Sequence, residues 1–283
     1  MAESGQLMDV LRRSEDYLRR HGIDNARRES EWIFCAQLDL QRLDLYTRFD
    51  MLLDASEMDA LRQAVIRRGR REPLAYIIGD QPFADFSVRV TPAVLVPRPE
   101  SEDLVDLVVA QVGARALRIV DVGTGSGVLA IALARRCRES SITAVDISVE
   151  ALAVAQANGR ELAADVTWQE SDLLAHAPGP WDVVVANLPY IGRSEADRCD
   201  PELAFEPEIA LWSGDDGLPC MAALIAQLPQ QLSADGCCWL EHGDRQAAAI
   251  ASLASAQGLQ AEVYADRHQA QRFSCLRRDG ART

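Results

Sequence analysis

The chain has 283 residues, 48% hydrophobic and 25% charged, proportions that are ordinary for a folded globular protein and exclude a disordered or fibrous one. Its formal net charge is −14 and it contains no lysine, which excludes chemistry that depends on a lysine, such as Schiff-base formation. Residues 71–283 hold 30 acidic residues and 17 arginines, and this excess of negative charge disfavours sequence-independent binding to nucleic-acid phosphates.

Two further exclusions concern the compartment and metal ions. No stretch approaches the roughly 20 apolar residues of a membrane-spanning helix, and residues 1–20 lack the apolar core of a secretory signal. The seven cysteines include no Cys-x-x-Cys pair and the four histidines are scattered, so neither a disulfide framework nor a metal site is expected. We therefore expect a cytoplasmic protein with no membrane partner and no bound metal ion.

Residues 1–74 predict a small helical domain. Apolar residues recur there at spacings of three and four, as in Leu7, Val10 and Leu11, and no proline precedes Pro73. This spacing is typical of amphipathic helices rather than of strands. We expect four or five short helices.

A β-hairpin linker is predicted over residues 75–100. The segment is rich in proline, aromatic and β-branched residues, and Val88 and Val90 alternate with polar neighbours as in a hairpin strand. A helix is expected to follow, from about Ser101 to Val112.

The remaining chain, residues 101–283, alternates strand-like and helix-like segments. This alternation is typical of an α/β domain whose mainly parallel sheet is covered by helices on both faces. The strands are predicted at residues 118–123, 142–148, 165–171, 181–190 and 236–243, with two closing strands near 260–264 and 272–276.

A glycine-rich turn, DVGTGSG, directly follows the first of these strands and opens a helix. Glycines let the backbone approach a ligand closely, and a helix N-terminus favours negative charge. A nicotinamide dinucleotide would use the same device, but the Gly-x-Gly-x-Gly spacing favours the turn found with S-adenosylmethionine. The candidate cofactor contacts are Gly123, Thr124, Gly125, Ser126 and Gly127.

One acidic residue ends the second strand, and another follows the third. Asp146 comes about 20 residues after the glycine turn, where a carboxylate can accept both ribose hydroxyls of a nucleoside. The alternative is that Asp146 caps the following helix, although Ser148 is the better candidate for that cap. After the third strand, Asp172 is placed to accept from an adenine amino group, with Leu173 packing on the ring.

The fourth strand runs into Asn187-Leu188-Pro189-Tyr190. The Asn187 amide offers an acceptor, Pro189 favours an extended Leu188 whose carbonyl is presented outwards, and the Tyr190 ring supplies a flat apolar wall. These parts suit a planar NH₂ group, since two acceptors can take its two protons. We therefore predict Asn187, Leu188, Pro189 and Tyr190 as the catalytic residues.

This tetrapeptide resembles the Asn/Asp-Pro-Pro-Tyr motif of amino-group methyltransferases. The segments VPRPESEDLV, DVGTGSGVLAIALA, AVDISVEALAVAQANG and FEPEIALWSGDDGL are similar to those of the HemK/PrmC family, the release-factor glutamine N5-methyltransferases. The resemblance covers residues 70–277 densely and the helical N-terminus loosely. Leu188 stands where the family usually has proline. A leucine at this position keeps the backbone carbonyl but makes the backbone less rigid.

The resemblance implies a Rossmann-like class I methyltransferase domain with an antiparallel last strand over residues 101–283. It implies that residues 1–74 recognise the substrate and that residues 75–100 connect the two domains. The implied reaction moves a methyl group from S-adenosyl-L-methionine, leaving S-adenosyl-L-homocysteine, to the side-chain amide nitrogen (N5) of the glutamine in the Gly-Gly-Gln motif of class I peptide-chain release factors. The implied cofactor residues are Gly123–Gly127, Asp146, Leu173 and Asn187, and Asn187–Tyr190 would hold the glutamine.

Three alternatives stay open at this point. The acceptor could be a glutamine of a ribosomal protein. It could be a nucleic-acid adenine, because Asn-Leu-Pro-Tyr also occurs in rRNA adenine dimethyltransferases, although the acidic catalytic part argues against stable nucleic-acid binding. The chain could also be a non-enzymatic adaptor that keeps the fold, which the intact glycine turn, Asp146 and Asn187 disfavour.

Overall fold

The computed structural model describes residues 5–280, which form two compact units. The first unit extends to Asp80 and also includes Asp200–Phe205, whereas the second contains Gln81–Cys199 and the residues from Glu206 onward. The segment 75–100, expected as a linker, is therefore shared between the two units.

The first unit is helical, as predicted. Its core consists of buried apolar side chains, including Leu18, Phe34 and Leu61. The apolar residues that recur in the sequence at spacings of three and four therefore lie on the inner faces of the helices. The fourth helix begins with a capping box, in which Asp54 and Glu57 each accept the other's backbone N–H at 2.8 Å. The helices are α1 (Leu7–Arg20), α2 (Ala26–Leu38), α3 (Asp44–Thr47), α4 (Ala55–Gly69) and α5 (Leu74–Ile78).

A buried arginine joins the segment Asp200–Phe205 to the helices of the first unit. Arg68 is 7% exposed and donates to Glu29 and, at 3.0 Å, to Glu202. Arg71 donates to the other oxygen of Glu202 at 2.9 Å. A buried guanidinium needs such partners, because an unpaired charge would be costly to desolvate.

The second unit contains a small hairpin and a seven-stranded sheet in the order β5-β4-β3-β6-β7-β9-β8. Neighbouring strands from β5 through β7 are parallel, and β9 runs antiparallel to both β7 and β8. The predicted α/β fold, with its mainly parallel sheet and antiparallel last strand, is confirmed. The strands are β1 (Asp80–Phe83), β2 (Phe86–Arg89), β3 (Arg118–Val122), β4 (Ser141–Asp146), β5 (Val166–Glu170), β6 (Trp181–Ala186), β7 (Leu232–Glu241), β8 (Leu259–Ala265) and β9 (Gln271–Arg278).

Helices connect the strands of this sheet, and the order in which they do so determines where a ligand can bind. The chain steps from β3 to β4 and β5 on one side and then returns to place β6 on the other side of β3. Ligands of such sheets bind beyond the carboxyl ends of the strands at this reversal. The helices are α6 (Glu100–Val112), α7 (Val128–Arg136), α8 (Val149–Glu161), α9 (Glu208–Leu211), α10 (Pro219–Gln231) and α11 (Ala247–Ala256).

Three short elements escaped prediction: two 3₁₀ helices, at Arg193–Arg198 and Pro201–Phe205, and the single turn of α9. None is long enough to show the hydrophobic repeat on which helix prediction depends. Over residues 5–280, no helix combines the length and the apolar character that spanning a membrane requires.

Candidate active site

A cavity of about 380 Å³ opens in the second unit where β3, β4, β5 and β6 end. Its volume lies in the range of sites for small molecules and cofactors. Among the twelve residues predicted for the site, ten line it: Gly123, Thr124, Gly125, Ser126, Asp146, Asp172, Leu173, Asn187, Leu188 and Pro189. Gly127 and Tyr190 do not.

The glycine turn forms one wall of the cavity. Gly123 adopts a φ of +73°, and a Cβ atom on it would lie 2.8 Å from Cδ2 of Leu188. The turn is tied to the neighbouring strand, because the backbone N–H groups of Gly123 and Thr124 both donate to the carbonyl of Val145. The glycine turn and the Asn187–Tyr190 segment are therefore packed against each other.

Gly127 has a different role from the one predicted. Its φ is +82°, and a Cβ atom would lie 2.9 Å from the Trp168 ring and 3.1 Å from Ala155. The missing side chain lets the start of α7 pack closely on α8 and β5. Sequence alone does not distinguish a glycine that approaches a ligand from one that lets helix and strand approach each other.

Asp146 is held by the glycine turn that it helps to shape. One carboxylate oxygen accepts from Gly125 N at 2.8 Å and the other from Ser148 N at 2.9 Å. The cap of α8 is supplied by Ser148, whose hydroxyl accepts from Ala151 N at 3.1 Å. Each oxygen of Asp146 keeps a second lone pair for a donor in the cavity.

Asp121, which opens the glycine motif, is fully buried. Its Oδ2 accepts from Thr124 Oγ1 at 2.6 Å and from Ala130 N at 3.2 Å, whereas Oδ1 has no partner within the described chain. Burial raises the pKa of Asp121 to about 7, against the effect of these hydrogen bonds. This carboxyl shapes the turn from beneath and was not among the predicted site residues.

Asp172 and Leu173 lie at another side of the cavity. Asp172 is exposed, and Leu173 has a φ of +50°, in the left-handed region that non-glycine residues rarely adopt. Leu174 N, which follows, donates to Gln227 Oε1 at 3.0 Å and fixes this turn. Leu173 lines the cavity, as does Ile147, an apolar residue whose side chain is exposed.

The Asn187–Tyr190 segment presents two acceptors at the cavity. Within residues 5–280 no group donates to Asn187 Oδ1 or to the carbonyl oxygen of Leu188. Asn187 Nδ2, in contrast, donates to Ser101 Oγ at 3.1 Å. The amide is thus anchored through its nitrogen, and its oxygen stays available.

Tyr190 departs from its predicted role as a wall of the cavity. Its side chain packs against the apolar core of the sheet, and its carbonyl accepts from Gln246 Nε2 at 2.9 Å. Burial, followed by the nearby Glu241, raises the pKa of Tyr190 to about 12. The Tyr190 hydroxyl therefore stays protonated at neutral pH, and the packing of the ring helps to fix the segment.

Two pairs of polar residues were missed by sequence reasoning. Ser101 Oγ donates to Glu241 Oε2 at 2.7 Å, and Arg98, which lines the cavity, pairs with the buried Glu206 at 2.6 Å. Each pair joins segments more than 100 positions apart, so no local spacing reveals it. The only available signal was the charged Glu241 directly after the apolar run of residues 237–240.

Glu241 is almost completely buried, and burial raises its pKa to about 7, against the effects of the Ser101 hydrogen bond and of Arg272. His242, beside it, is fully buried, and its two ring nitrogens lie 2.8 Å from the Gly243 carbonyl and 2.9 Å from Ser274 Oγ. Burial lowers the pKa of His242, so its imidazole has a structural role as a neutral hydrogen-bonded group.

Glu241→Gln should change how stability depends on pH. A carboxyl whose pKa rises from 4.5 to about 7 on folding supports the folded state below pH 4.5 and loses that contribution as the pH rises through 7. Relative to wild type, the glutamine variant should gain roughly 2–3 kcal/mol in free energy of unfolding between pH 5 and pH 8. Urea unfolding of both proteins at the two pH values measures this, and parallel pH profiles would refute the raised pKa.

Comparison with known proteins places the chain among methyltransferases. Residues 9–79 match the PrmC N-terminal domain and residues 101–199 the methyltransferase small domain. Among solved structures, a ribosomal protein L11 methylase from Lactobacillus delbrueckii is 25% identical, with a TM-score of 0.50 over 68% of this chain and 83% of that one. The hMettl16 catalytic domain has a TM-score of 0.56 at 12% identity, over 81% of this chain and 84% of that one, and shares the fold alone.

Relatives in sequence are more informative. Release factor glutamine methyltransferase of Geobacter sulfurreducens is 36% identical over 88% of both chains. The Deinococcus radiodurans protein of the same name is 32% identical over 97% of this chain and 99% of its own. The Bordetella pertussis protein is 39% identical over 74% of this chain and 78% of its own. With this identity over nearly the whole length, and with both domains matched in order, the chain belongs to the release factor glutamine methyltransferase family.

Proposed function

We propose that this protein transfers a methyl group from S-adenosylmethionine to the side-chain amide nitrogen of the glutamine in the Gly-Gly-Gln motif of class I peptide-chain release factors. The observation that carries the proposal is the pair of acceptors on consecutive residues, Asn187 Oδ1 and the Leu188 carbonyl, at a cavity bordered by the glycine turn. Membership of the family supports the same acceptor.

The residues of the cavity fit the cofactor. Asp146 is fixed by Gly125 and Ser148 and keeps lone pairs for ribose hydroxyls, while Leu173 and Ile147 offer apolar surface to a flat base. Gly125 has a φ of +55°, and no atom lies within 4 Å of a Cβ built on it, so the turn leaves open space beside it. We propose that the cofactor is held by Gly123–Ser126, Asp146, Asp172, Leu173 and Asn187.

When bound, S-adenosylmethionine supplies a methyl group on a positively charged sulfur, with neutral S-adenosylhomocysteine as the leaving group. The chain's part is to position the acceptor. An amide nitrogen is a weak nucleophile because its lone pair is delocalised into the carbonyl. Asn187 Oδ1 and the Leu188 carbonyl would accept its two protons and hold it in one orientation, and such positioning can contribute several kcal/mol.

No strong base is needed before the attack, because the nitrogen loses a proton only once it carries the methyl group. Pro189 supports this geometry by restricting the backbone of Leu188 to extended conformations. The Leu188 side chain, packed on Gly123, replaces part of the rigidity that a proline at 188 would give.

Transfer of labelled methyl groups to purified acceptors tests the function. We expect label on an unmodified class I release factor, and none on the same protein when the glutamine of its Gly-Gly-Gln motif is changed to alanine. Label on a ribosomal protein or on RNA instead would refute the release factor as acceptor. Cofactor binding without transfer to any acceptor would refute an enzymatic function.

We propose that the helical unit recognises the protein substrate. Large apolar side chains are exposed between Leu43 and Leu52: Leu43 is 72% exposed, Phe49 57% and Leu52 74%. Exposed apolar groups of this size often mark protein-binding surfaces. The excess of negative charge in residues 71–283 is compatible with a protein acceptor and disfavours a nucleic-acid one. We propose that the enzyme acts in the cytoplasm, where release factors meet the ribosome.

Replacing Phe49 and Leu52 together by serine should therefore raise the KM for the release factor at least about tenfold. Full burial of one such side chain contributes about 1.5–3 kcal/mol, and about 1.4 kcal/mol corresponds to a factor of ten, so partial burial of the two is sufficient. The KM for S-adenosylmethionine should stay unchanged. Val263→Ser is the matched control, since Val263 is an exposed apolar residue of the second unit. Equal KM values for the double variant and the control would contradict the proposed role of the helical unit.

A further inference from the structure

Three side chains form a continuous chain of hydrogen bonds behind the cavity. Asn187 Nδ2 lies 3.1 Å from Ser101 Oγ, and Ser101 Oγ lies 2.7 Å from Glu241 Oε2. Asn187 also lies close enough to Glu241 to favour its ionised form. The three residues come from the segment after β6, from the first turn of α6 and from the end of β7, so only the folded sheet brings them together.

The chemistry of these groups gives the chain a direction. An ionised carboxylate can only accept hydrogen bonds, so Ser101 must donate its single proton to Glu241. The Ser101 oxygen is then an acceptor towards Asn187, and only the NH₂ end of the Asn187 amide can donate to it. Glu241 and Ser101 are 1% and 2% exposed, so water does not compete for these positions.

The direction matters because the two ends of an asparagine amide have the same shape and opposite hydrogen-bonding character. If the amide rotated by half a turn, the NH₂ group would meet the NH₂ group of the acceptor glutamine. The rotated state would repel the substrate instead of accepting its protons. Something in the protein must therefore select one orientation. Within the described chain the side chain that accepts from Asn187 is Ser101, which in turn donates to Glu241.

We propose that Glu241 and Ser101 are positioning residues, which hold the Asn187 amide with Oδ1 turned away from them and available to the substrate glutamine. This inference rests on the proposed function and adds to it the groups that impose the required polarity. A protonated Glu241 can itself donate, so it would allow Ser101 to reverse and the amide to rotate.

Several charged and titratable groups surround Glu241. Arg272, on β9, favours its ionised form, whereas Glu100, at the start of α6, opposes it. Tyr190 also lies near, and Arg272 is held by Asp266 at 3.1 Å. Since burial raises the pKa of Glu241 to about 7, protonation and reversal fall within an accessible pH range.

The first experiment observes the Asn187 side-chain amide by ¹⁵N NMR in the full-length protein without substrate, with the signal assigned by its absence in Asn187→Asp. We expect the two amide protons to shift with pH around a midpoint near 7 in wild type, and to lose this titration in Glu241→Gln. An Asn187 signal that does not titrate in wild type, or that titrates equally in Glu241→Gln, would overturn the proposal.

The second experiment measures kinetics with the release factor. Ser101→Ala and Glu241→Gln should each lower kcat about tenfold or more, with the Kd for S-adenosylmethionine unchanged, because each removes one hydrogen bond that selects the orientation. Ser101→Thr keeps the hydroxyl and should stay within about threefold of wild type. The fall in kcat below pH 7 should disappear in Glu241→Gln. Wild-type kcat in both Ser101→Ala and Glu241→Gln would overturn the proposal.

The two experiments separate this inference from the proposed function. A titrating Asn187 signal in a protein that labels no release factor would support the chain of hydrogen bonds and refute the acceptor. Normal labelling with an insensitive Asn187 signal would support the acceptor and refute the chain.

Discussion

Asn187→Ala should lower kcat for methyl transfer by about 10³-fold and change the Kd for S-adenosylmethionine by less than about threefold. The variant removes Oδ1, one of the two acceptors that would hold the glutamine amide, and lets the acceptor nitrogen rotate. Loss of orientation of this kind costs several kcal/mol in the transition state. The other residues proposed to hold the cofactor, in the glycine turn and at Asp146, are fixed by hydrogen bonds that do not involve the Asn187 side chain.

Single-turnover rates and titration calorimetry measure the two quantities separately. Asn25→Ala is the matched control, since Asn25 is an exposed asparagine before α2 whose side chain makes no capping hydrogen bond. A variant that keeps wild-type kcat would remove Asn187 from the mechanism. A variant that loses cofactor binding in proportion to its activity would make Asn187 a cofactor residue only.

Asp146→Ala should raise the Kd for S-adenosylmethionine about 100-fold and leave kcat at saturating cofactor within about fivefold. The carboxylate does two things that alanine cannot do. It anchors Gly125 N in the turn and, in the proposed cofactor site, would offer lone pairs to the ribose hydroxyls. A hydrogen bond to a charged group is worth about 1.5–3 kcal/mol, so losing the ribose contacts accounts for a change of this size.

Titration calorimetry with S-adenosylhomocysteine, which cannot react, measures the loss of affinity in Asp146→Ala without turnover. Asp165→Ala serves as the control, because Asp165 is an exposed aspartate of the same unit that lies outside the cavity. Asp146→Asn keeps one acceptor oxygen and should fall between alanine and wild type. Unaltered affinity in Asp146→Ala would show that the ribose is held elsewhere.

The sequence predicts the architecture well because its signals are local. The β-branched runs that became β3, β4 and β6 stand between helical repeats, and a parallel sheet follows from that alternation. The positions of the site follow almost as directly. Each predicted residue lies at or just beyond the carboxyl end of a strand, and the carboxyl ends of parallel strands meet at one edge. The sequence alone thus predicts that Asp146 and Asn187 lie at the same edge of the sheet.

What escaped prediction depends on contacts across the fold. Ser101 and Glu241 are 140 positions apart, and only the packing of α6 beside β7 joins them. The prediction for the Tyr190 ring could not be decided locally, because an aromatic ring at a strand end can face either way. In the structure the ring is partly buried and packs against the apolar core of the sheet. Whether a glycine faces a ligand or a neighbouring helix likewise depends on what packs there, as Trp168 does beside Gly127.

Mass spectrometry of the release factor after incubation with this enzyme and S-adenosylmethionine tests the proposed reaction. With wild-type enzyme we expect the peptide that carries the Gly-Gly-Gln motif to gain the mass of one methyl group, located on the glutamine side chain. With Asn187→Ala at equal cofactor saturation we expect almost no such gain. A methyl group on another residue, or equal modification by the two enzymes, would contradict it.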